Sequence, residues 1–569
     1  MNRHIIIYIL TCGCLFLYLP DVFPNKEISI THFGIEPNNG KDATLAVRNA
    51  INYCSEKKIN KLIFPKGKYD FYPKLATEKT VYISNNTDGE KRITFSIDNM
   101  KNFEIDGGGA TFIFHGYICP FVIKNCKNII LNNFSIDFSR TFHSEGIIKA
   151  VHKDEIEVYF PEKYPFKIEN ERLIFTDGKK VEYPYGSLLE YNTLKKETAY
   201  QVHDYYTGPV LKAENIGQRQ VRIHLKDVKG TPGNTMVFAP NHRLCPAITI
   251  DNTQDINIAN ITLYHCGGMG VIAQRSKNIT VNKMKVSAAQ DRTVSCTADA
   301  THFANCEGKI ILTDCLFENQ MDDATNIHGI YMRIEKILSS TSLLLRLVHY
   351  EQYGMDIFKK GQKVELVNAQ TVETYSINNV ESVKRYNKEF YQVEFKENLP
   401  SALKEKDVVG SAIYPEVILK NCICQNNRAR GVLLGSRTKI IVEGNRFHTP
   451  GAAIMTGGDT EYWFEQGGVS NLEIKNNIFD NCNYGVWGDA AIQIAAGSKD
   501  KGNSPRFNHN IIIENNIFNV FDPRILKVSS VDGLIFRHNK INHSTAYPAI
   551  HTIAKPFNIE NSTNINIQK

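Results

Sequence analysis

Nine short segments of this chain align without gaps, and their spacing limits what it can fold into more than any other feature. They are NIILNNFSI from Asn128, DINIANITL from Asp255, NITVNKMKV from Asn278, KIILTDCLF from Lys309, EVILKNCIC from Glu416, KIIVEGNRF from Lys439, NLEIKNNIF from Asn471, NIIIENNIF from Asn510 and GLIFRHNKI from Gly533. The second and fourth positions are always apolar, the period-two mark of a strand with one buried face. The ninth is again apolar or Cys, and Asn or Asp recurs at the sixth or seventh, where the strand must turn. Starts lie 23 residues apart from Asp255 to Asn278, from Glu416 to Lys439 and from Asn510 to Gly533. That length suits one coil of a right-handed parallel β-helix, an all-β solenoid in which each coil buries its apolar face only by stacking on the next. Repeated Asn at the turn predicts a ladder of side-chain amides pairing backbone groups that irregular turns leave open. Helix bundles and doubly wound sheets need long 3.6-period stretches between the strands, and none is present.

The ends and interruptions of the repeat set the domain plan. DATLAVRNAINYC predicts a short capping helix, with Asp42 as N-cap and Ala43, Val47, Ala50, Ile51 and Cys54 on one face. The repeat disappears between Ile136 and Asp255 and again between Phe317 and Glu416, replaced by alternating stretches such as DEIEVYF and QKVELVN. Each gap reads as an inserted β-barrel-like subdomain with its own small core. The expected layout is a leader over 1–24, cap and first coils over 25–138, first insert over 139–248, coils bearing the site over 249–329, second insert over 330–414 and final coils over 415–569.

Charge and cysteines exclude several functions. Lys+Arg number 66 against 60 Asp+Glu, a net +6 with no basic block, so nucleic acid is not an expected partner. Residues 5–20, IIIYILTCGCLFLYLP after Met-Asn-Arg-His, have the length and flank of an export signal. The chain is therefore expected to be periplasmic, secreted or outer-surface-associated, with lipid attachment at Cys12 or Cys14 or a retained anchor as alternatives, and no further membrane span. The eleven remaining cysteines are odd in number and lack Cys-x-x-Cys or zinc spacing, so a complete disulfide framework is excluded and buried free thiols are expected. No cofactor is expected.

The string ENQMDDATNIHG, Glu318 to Gly329, puts two aspartates beside an apolar run. Solenoid register gives it an address: DATHF from Asp299 precedes DATNI from Asp323 by 24 residues, one coil. Asp299 and Asp323 should then stack on neighbouring coils about 4.8 Å apart, with Asp322 one residue aside. Carboxylates this close raise one another's pKa and are costly unless used. Glycoside hydrolysis uses such a cluster, one carboxyl protonating the departing oxygen and another activating water. On this reading Asp322 is the general acid, and Asp299 and Asp323 hold the water. A calcium-dependent lyase is the competing use of three carboxylates, with Arg428 or Arg430 as its base.

The strings TADATH and NQMDDATNIHG, with the opening FGIEPNNGKDATLAVRNAINYC and the two interruptions, resemble glycoside hydrolase family 110, exported bacterial α-1,3-galactosidases. The resemblance spans nearly the whole mature chain. It implies a parallel β-helix with inserted β-barrels, metal-independent inverting release of α-1,3-linked galactose as from blood group B structures, and catalytic roles for Asp299, Asp322 and Asp323. The layout is also similar to polygalacturonases, whose Gly-His-Gly and Arg-Ile-Lys signatures are missing here.

An exo-acting galactosidase needs hydroxyl donors and an aromatic platform. Substrate contacts are expected from His302 and Asn326, equivalent positions on the aspartate coils, from Arg428 and Arg430 just beyond, and from Trp463 in the glycine-bounded loop GGDTEYWFEQGG. For each a structural role competes: His302 and Asn326 as lining, the arginines as partners of the acidic cluster. His328 reads as turn structure and Trp487 as partly buried. Pairing of two copies and a non-catalytic glycan-binding adhesin complete the expectations.

Overall fold

The computed structural model describes residues 26–208, 211–495, 497 and 507–568; the expected leader, with Cys12 and Cys14, lies outside them. A sheet of 21 strands and another of 13 run along a parallel β-helix. In a typical coil the chain passes through the smaller sheet once, as in Val271–Gln274, then through the larger sheet twice, as in Lys277–Asn282 and Lys285–Val286. Pairing follows the ungapped alignment at every junction. Ile256 faces both Ile129 and Ile279, Lys309 faces Glu416, Lys439 faces Asn471, and Ile511 faces Leu534.

The sixth position explains why each strand breaks where it does. Its φ lies between 51° and 68° in all nine segments, at Asn133, Asn260, Lys283, Asp314, Asn421, Gly444, Asn476, Asn515 and His538. Asn and Gly enter this left-handed region at least cost. At the seventh position Asn445, Asn477, Asn516 and Asn539 form the amide ladder, each Nδ2 donating to the next Oδ1 at 2.9–3.0 Å. In earlier coils the same place holds Phe134, Ile261, Met284, Cys315 and Cys422, so the ladder belongs to the C-terminal half. The apolar second and fourth positions are at most 2% exposed throughout. All eleven cysteines beyond the leader are buried and free.

The helix Thr44–Lys57 buries Val47, Ala50, Ile51 and Cys54 over the first coils. Its N-cap is Ala43 rather than Asp42, whose carboxylate reaches in from one residue earlier to accept from the Thr44 N–H at 2.9 Å. The first insert is an antiparallel sheet including Ser144–His152, Glu155–Tyr159, Ser187–Asn192, Gln220–His224 and Thr235–Ala239. Its apolar side chains Ile148, Val158, Phe160 and Phe238 join the solenoid core, while Leu189, Tyr191, Val237 and Ala239 form a small cluster with Val294 and Met321 of the solenoid loops. The second insert closes into a six-stranded barrel between Met332 and Ser411 with a core of its own around Ile334, Leu345, Val364 and Val393. Insert one leaves the solenoid at the corner that later coils use for the loops 287–300, 319–324 and 426–431, which places it beside those loops. Among the described residues no helix is long and apolar enough to cross a membrane.

Candidate active site

Three successive strands of the smaller sheet, Thr301–Ala304, Thr325–Ile330 and Val432–Leu434, stack with Thr301 on Thr325 and Thr325 on Val432. Two residues upstream, the same register aligns Asp299, Asp323 and Arg430. Backbone bonds fix the loops: Ala300 N–H donates to Asp323 O at 3.0 Å and Ala324 N–H to Gly431 O at 2.9 Å. The result is carboxyl, carboxyl, guanidinium on consecutive coils. Arg430 grips Asp323 with Nε on Oδ1 and Nη2 on Oδ2, both at 3.0 Å, and its backbone N–H adds a bond at 3.1 Å. Asn427 holds the arginine loop in place by donating to the carbonyls of Asp322, Arg428 and Arg430.

Asp322 points a different way, into a pocket of about 560 Å³. Arg243 donates to its Oδ2 at 2.8 Å and Arg428 to its Oδ1 at 3.3 Å. Burial pushes this carboxyl up, but Arg428, Arg243 and Arg430 outweigh it and hold it below the usual range. Asp299 has no arginine in contact. Burial, then the Asp322 charge, push it well above the ordinary carboxylate range. Asp323 is lifted to about 8 by burial and by its two acidic neighbours, against the pull of Arg430. These shifts put protons on the buried Asp299 and Asp323 and the negative charge on Asp322, the opposite of what an Asp322 acid needs at the start of a reaction.

The nearest oxygens of the three aspartates lie within 4.8 Å of one another. Oxygens so placed can hold a hard cation, yet here the guanidinium groups of Arg243, Arg428 and Arg430 already supply the positive charge. His302, His328 and Glu465 also converge. The two Nε2 atoms are 2.8 Å apart, a hydrogen-bond separation; ions bound at about 2.0–2.1 Å to both in tetrahedral geometry would hold them farther apart.

Of the residues expected to touch sugar, Arg428, Arg430 and Trp463 line the pocket. Both arginines also serve the acidic cluster, so the two roles weighed for them coexist. His302 is 1% exposed with both ring nitrogens engaged, Nδ1 by Asp299 and Nε2 by His328; it is packed against Asp299 and does not line the pocket. Asn326 is likewise buried and donates to Glu465 at 3.4 Å. Trp487 is partly buried and lines the pocket, with the Arg428 guanidinium 5.5 Å from its ring. Sequence reasoning missed Asp204, which grips Arg428 through both oxygens, and Arg243, Tyr206, Tyr350, Glu351 and Tyr462. They come from the two inserts, the strand-free connection after the first and the loop before Glu465, none of which carries the repeat.

Family models match in chain order: GLAA-B beta-barrel domain I over residues 144–237, GLAA-B beta-barrel domain II over 342–409, and a right-handed beta helix region over 384–563. Alpha-1,3-galactosidase A of Shewanella woodyi is 38% identical over 571 residues, covering 98% of this chain and 92% of its own length. Alpha-1,3-galactosidase B of Bacteroides fragilis is 31% identical over 588 residues, covering 98% of each chain. One from Phocaeicola vulgatus is 31% identical over 96% of this chain and 94% of its own. Relatives this similar along both barrels and the solenoid show that the chain belongs to the α-1,3-galactosidases, the glycosidases of family 110.

Proposed function

We propose that the protein removes terminal α-1,3-linked galactose from glycans, from blood group B structures, linear Galα1-3Gal or both, with inversion at the anomeric carbon. The observation that carries this is the carboxyl cluster, whose Asp322 lines a pocket of about 560 Å³ walled by Tyr206, Tyr350, Tyr462, Trp463 and Trp487. A pocket of that size suits a terminal sugar with part of its neighbour, and aromatic rings suit its apolar face. Asp322 faces the pocket and meets the leaving oxygen as general acid; the Asp299–Asp323 pair holds the attacking water. To react, Asp322 gains a proton through the open pocket and Asp299 gives one up. Export by residues 1–24 and pairing of two copies belong to the same proposal, checked by cell fractionation and light scattering.

A second reading is retention. Carboxyl oxygens within 4.8 Å are closer than the roughly 6.5–9.5 Å that inverting pairs leave for water and nearer the roughly 5–5.5 Å of retaining pairs. Against it, arginines donate to both oxygens of Asp322 and both of Asp323, which draws charge from each and makes it a poorer nucleophile. Proton NMR of the first-formed galactose decides between them: β-galactose supports inversion, and α-galactose overturns it. Unsaturated, calcium-dependent products would instead mark a lyase, and binding without turnover an adhesin.

A further inference from the structure

Behind Asp299 a line of buried hydrogen bonds leads away from the pocket. Asp299 Oδ2 is 2.7 Å from His302 Nδ1, His302 Nε2 is 2.8 Å from His328 Nε2, and His328 Nδ1 is 2.7 Å from the Gly329 carbonyl. The two rings meet edge to face, 85° apart, and both histidines are at most 5% exposed. Glu465 Oε1 lies 3.4 Å from His328 Nε2 and is itself fixed by Asn85 at 2.9 Å.

The polarity of this line follows from its far end. A carbonyl only accepts, so His328 carries a proton on Nδ1. With His328 neutral, its Nε2 is bare and accepts from His302 Nε2–H. His302 Nδ1 is then bare in turn, and the only group able to donate to it is a protonated Asp299. Burial, then His328, hold His302 well below the usual imidazole range, in keeping with a neutral ring. The same contacts let the proton rest on His302, as an imidazolium beside the Asp299 carboxylate, or pass one step further inward. The Asp299 O–H bond breaks as His302 Nδ1–H forms, and His302 Nε2–H breaks as His328 Nε2–H forms. One proton has moved from Asp299 to His328, no electrons have changed hands, and the new imidazolium faces the Glu465 carboxylate.

The geometry points to His302, His328 and Glu465 as a proton wire that takes the Asp299 proton inward, turning Asp299 from a carboxylic acid into the carboxylate that activates water. The inference rests on the role proposed for Asp299. It makes His302, His328 and Glu465 positioning residues: none lines the pocket. Other charged groups bear on the wire from each packed element: Asp322 and Asp323 on the next coil, Arg430 on the coil beyond and Arg243 from the connection after the first insert. Among the described residues Glu465 is the one carboxylate within 4.0 Å of His328 Nε2, which is why its charge steadies the imidazolium.

Two measurements on the full chain test the wire. The first needs no turnover. Nitrogen-15 NMR of the labelled histidines, assigned with His302→Asn and His328→Gln, should show His302 neutral with Nδ1 bare and Nε2 protonated, and His328 protonated on Nδ1. A neutral His302 protonated on Nδ1 beside a His328 that is itself neutral, or an equimolar tightly bound zinc lost in both variants, overturns the proposal. The second is the pH profile of kcat/KM on a galactoside for Glu465→Gln and His328→Gln. Without a stabilised imidazolium, Asp299 keeps its proton until the solution removes it. The expected loss is tenfold or more near pH 5 and shrinks steadily as pH rises. An equal loss at every pH is what a structural role gives and sinks the wire. If the wild-type chain releases no galactose, the proposed function fails while the NMR result still judges the wire.

Discussion

Asp323→Asn should make the protein more stable as pH rises, relative to wild type. The folded carboxyl is 2% exposed and titrates at about 8, against 3.8 for the free group. Between those values the folded state still holds the proton that the unfolded chain has released. The folded state then binds more protons, so stability falls with rising pH. The penalty starts above the unfolded pKa, grows by about 1.4 kcal/mol per unit and levels off above the folded pKa. It amounts to about 1.7 kcal/mol at pH 5 and about 4 kcal/mol at pH 7. Asn does not titrate, but it weakens the Arg430 grip at a pH-independent cost of about 1–3 kcal/mol. Asp299 is present in both proteins and largely cancels. The stability difference should therefore shift toward the variant by about 2–3 kcal/mol from pH 5 to pH 7, read from urea unfolding at pH 5, 6, 7 and 8. A difference that stays flat, or shifts toward wild type, refutes the electrostatics described for the site.

Asp322→Asn should lose about 10²–10⁴-fold in kcat on a natural disaccharide yet much less on a galactoside with an activated phenol, because a good leaving group needs no acid; equal losses on both would move the acid elsewhere. Trp487→Ala removes a pocket wall and the ring beneath Arg428, so KM should rise about tenfold with a smaller effect on kcat, read from steady-state rates. Asn477→Ala deletes an amide that bonds Val442 O, Asn516 Oδ1 and the Asn445 N–H and Nδ2. Leaving those groups unpaired in the core should cost about 3 kcal/mol in urea unfolding with kinetics of the surviving fold unchanged. Galactose release should persist in a chelator, since arginines supply the positive charge around the aspartates; loss restored by calcium would contradict this.

The solenoid was legible because its rules are local and repeated. Period-two apolar positions fix which side chains face inward, and a residue suited to positive φ at position six fixes where each strand breaks, so register followed by counting. That register also brought Asp299, Asp323 and Arg430 into line. What could not be read is what arrives from elsewhere. Arg243, Asp204 and Tyr206 reach the pocket from an insert whose loops follow no repeat, and Glu465 is brought beside His328 across 137 residues of chain. His302 shows the limit within the repeat itself: counting puts it on the aspartate coil, but does not say that its ring is turned to Asp299 and away from the pocket lining. The merged core of the first insert was hidden likewise, because alternation marks an apolar face without naming the surface that covers it.

The account rests on three aspartates, brought together by one step of solenoid register, acting as one site on a terminal α-galactoside. Galactose release from a blood group B oligosaccharide and from Galα1-3Gal by the wild-type chain and by Asp299→Asn, Asp322→Asn and Asp323→Asn, each shown to be folded by circular dichroism, tests this most directly. Release by wild type with losses of at least about a hundredfold in all three variants is the predicted result. A folded variant that keeps a tenth or more of the wild-type rate, or a wild-type chain that releases no galactose, would contradict it.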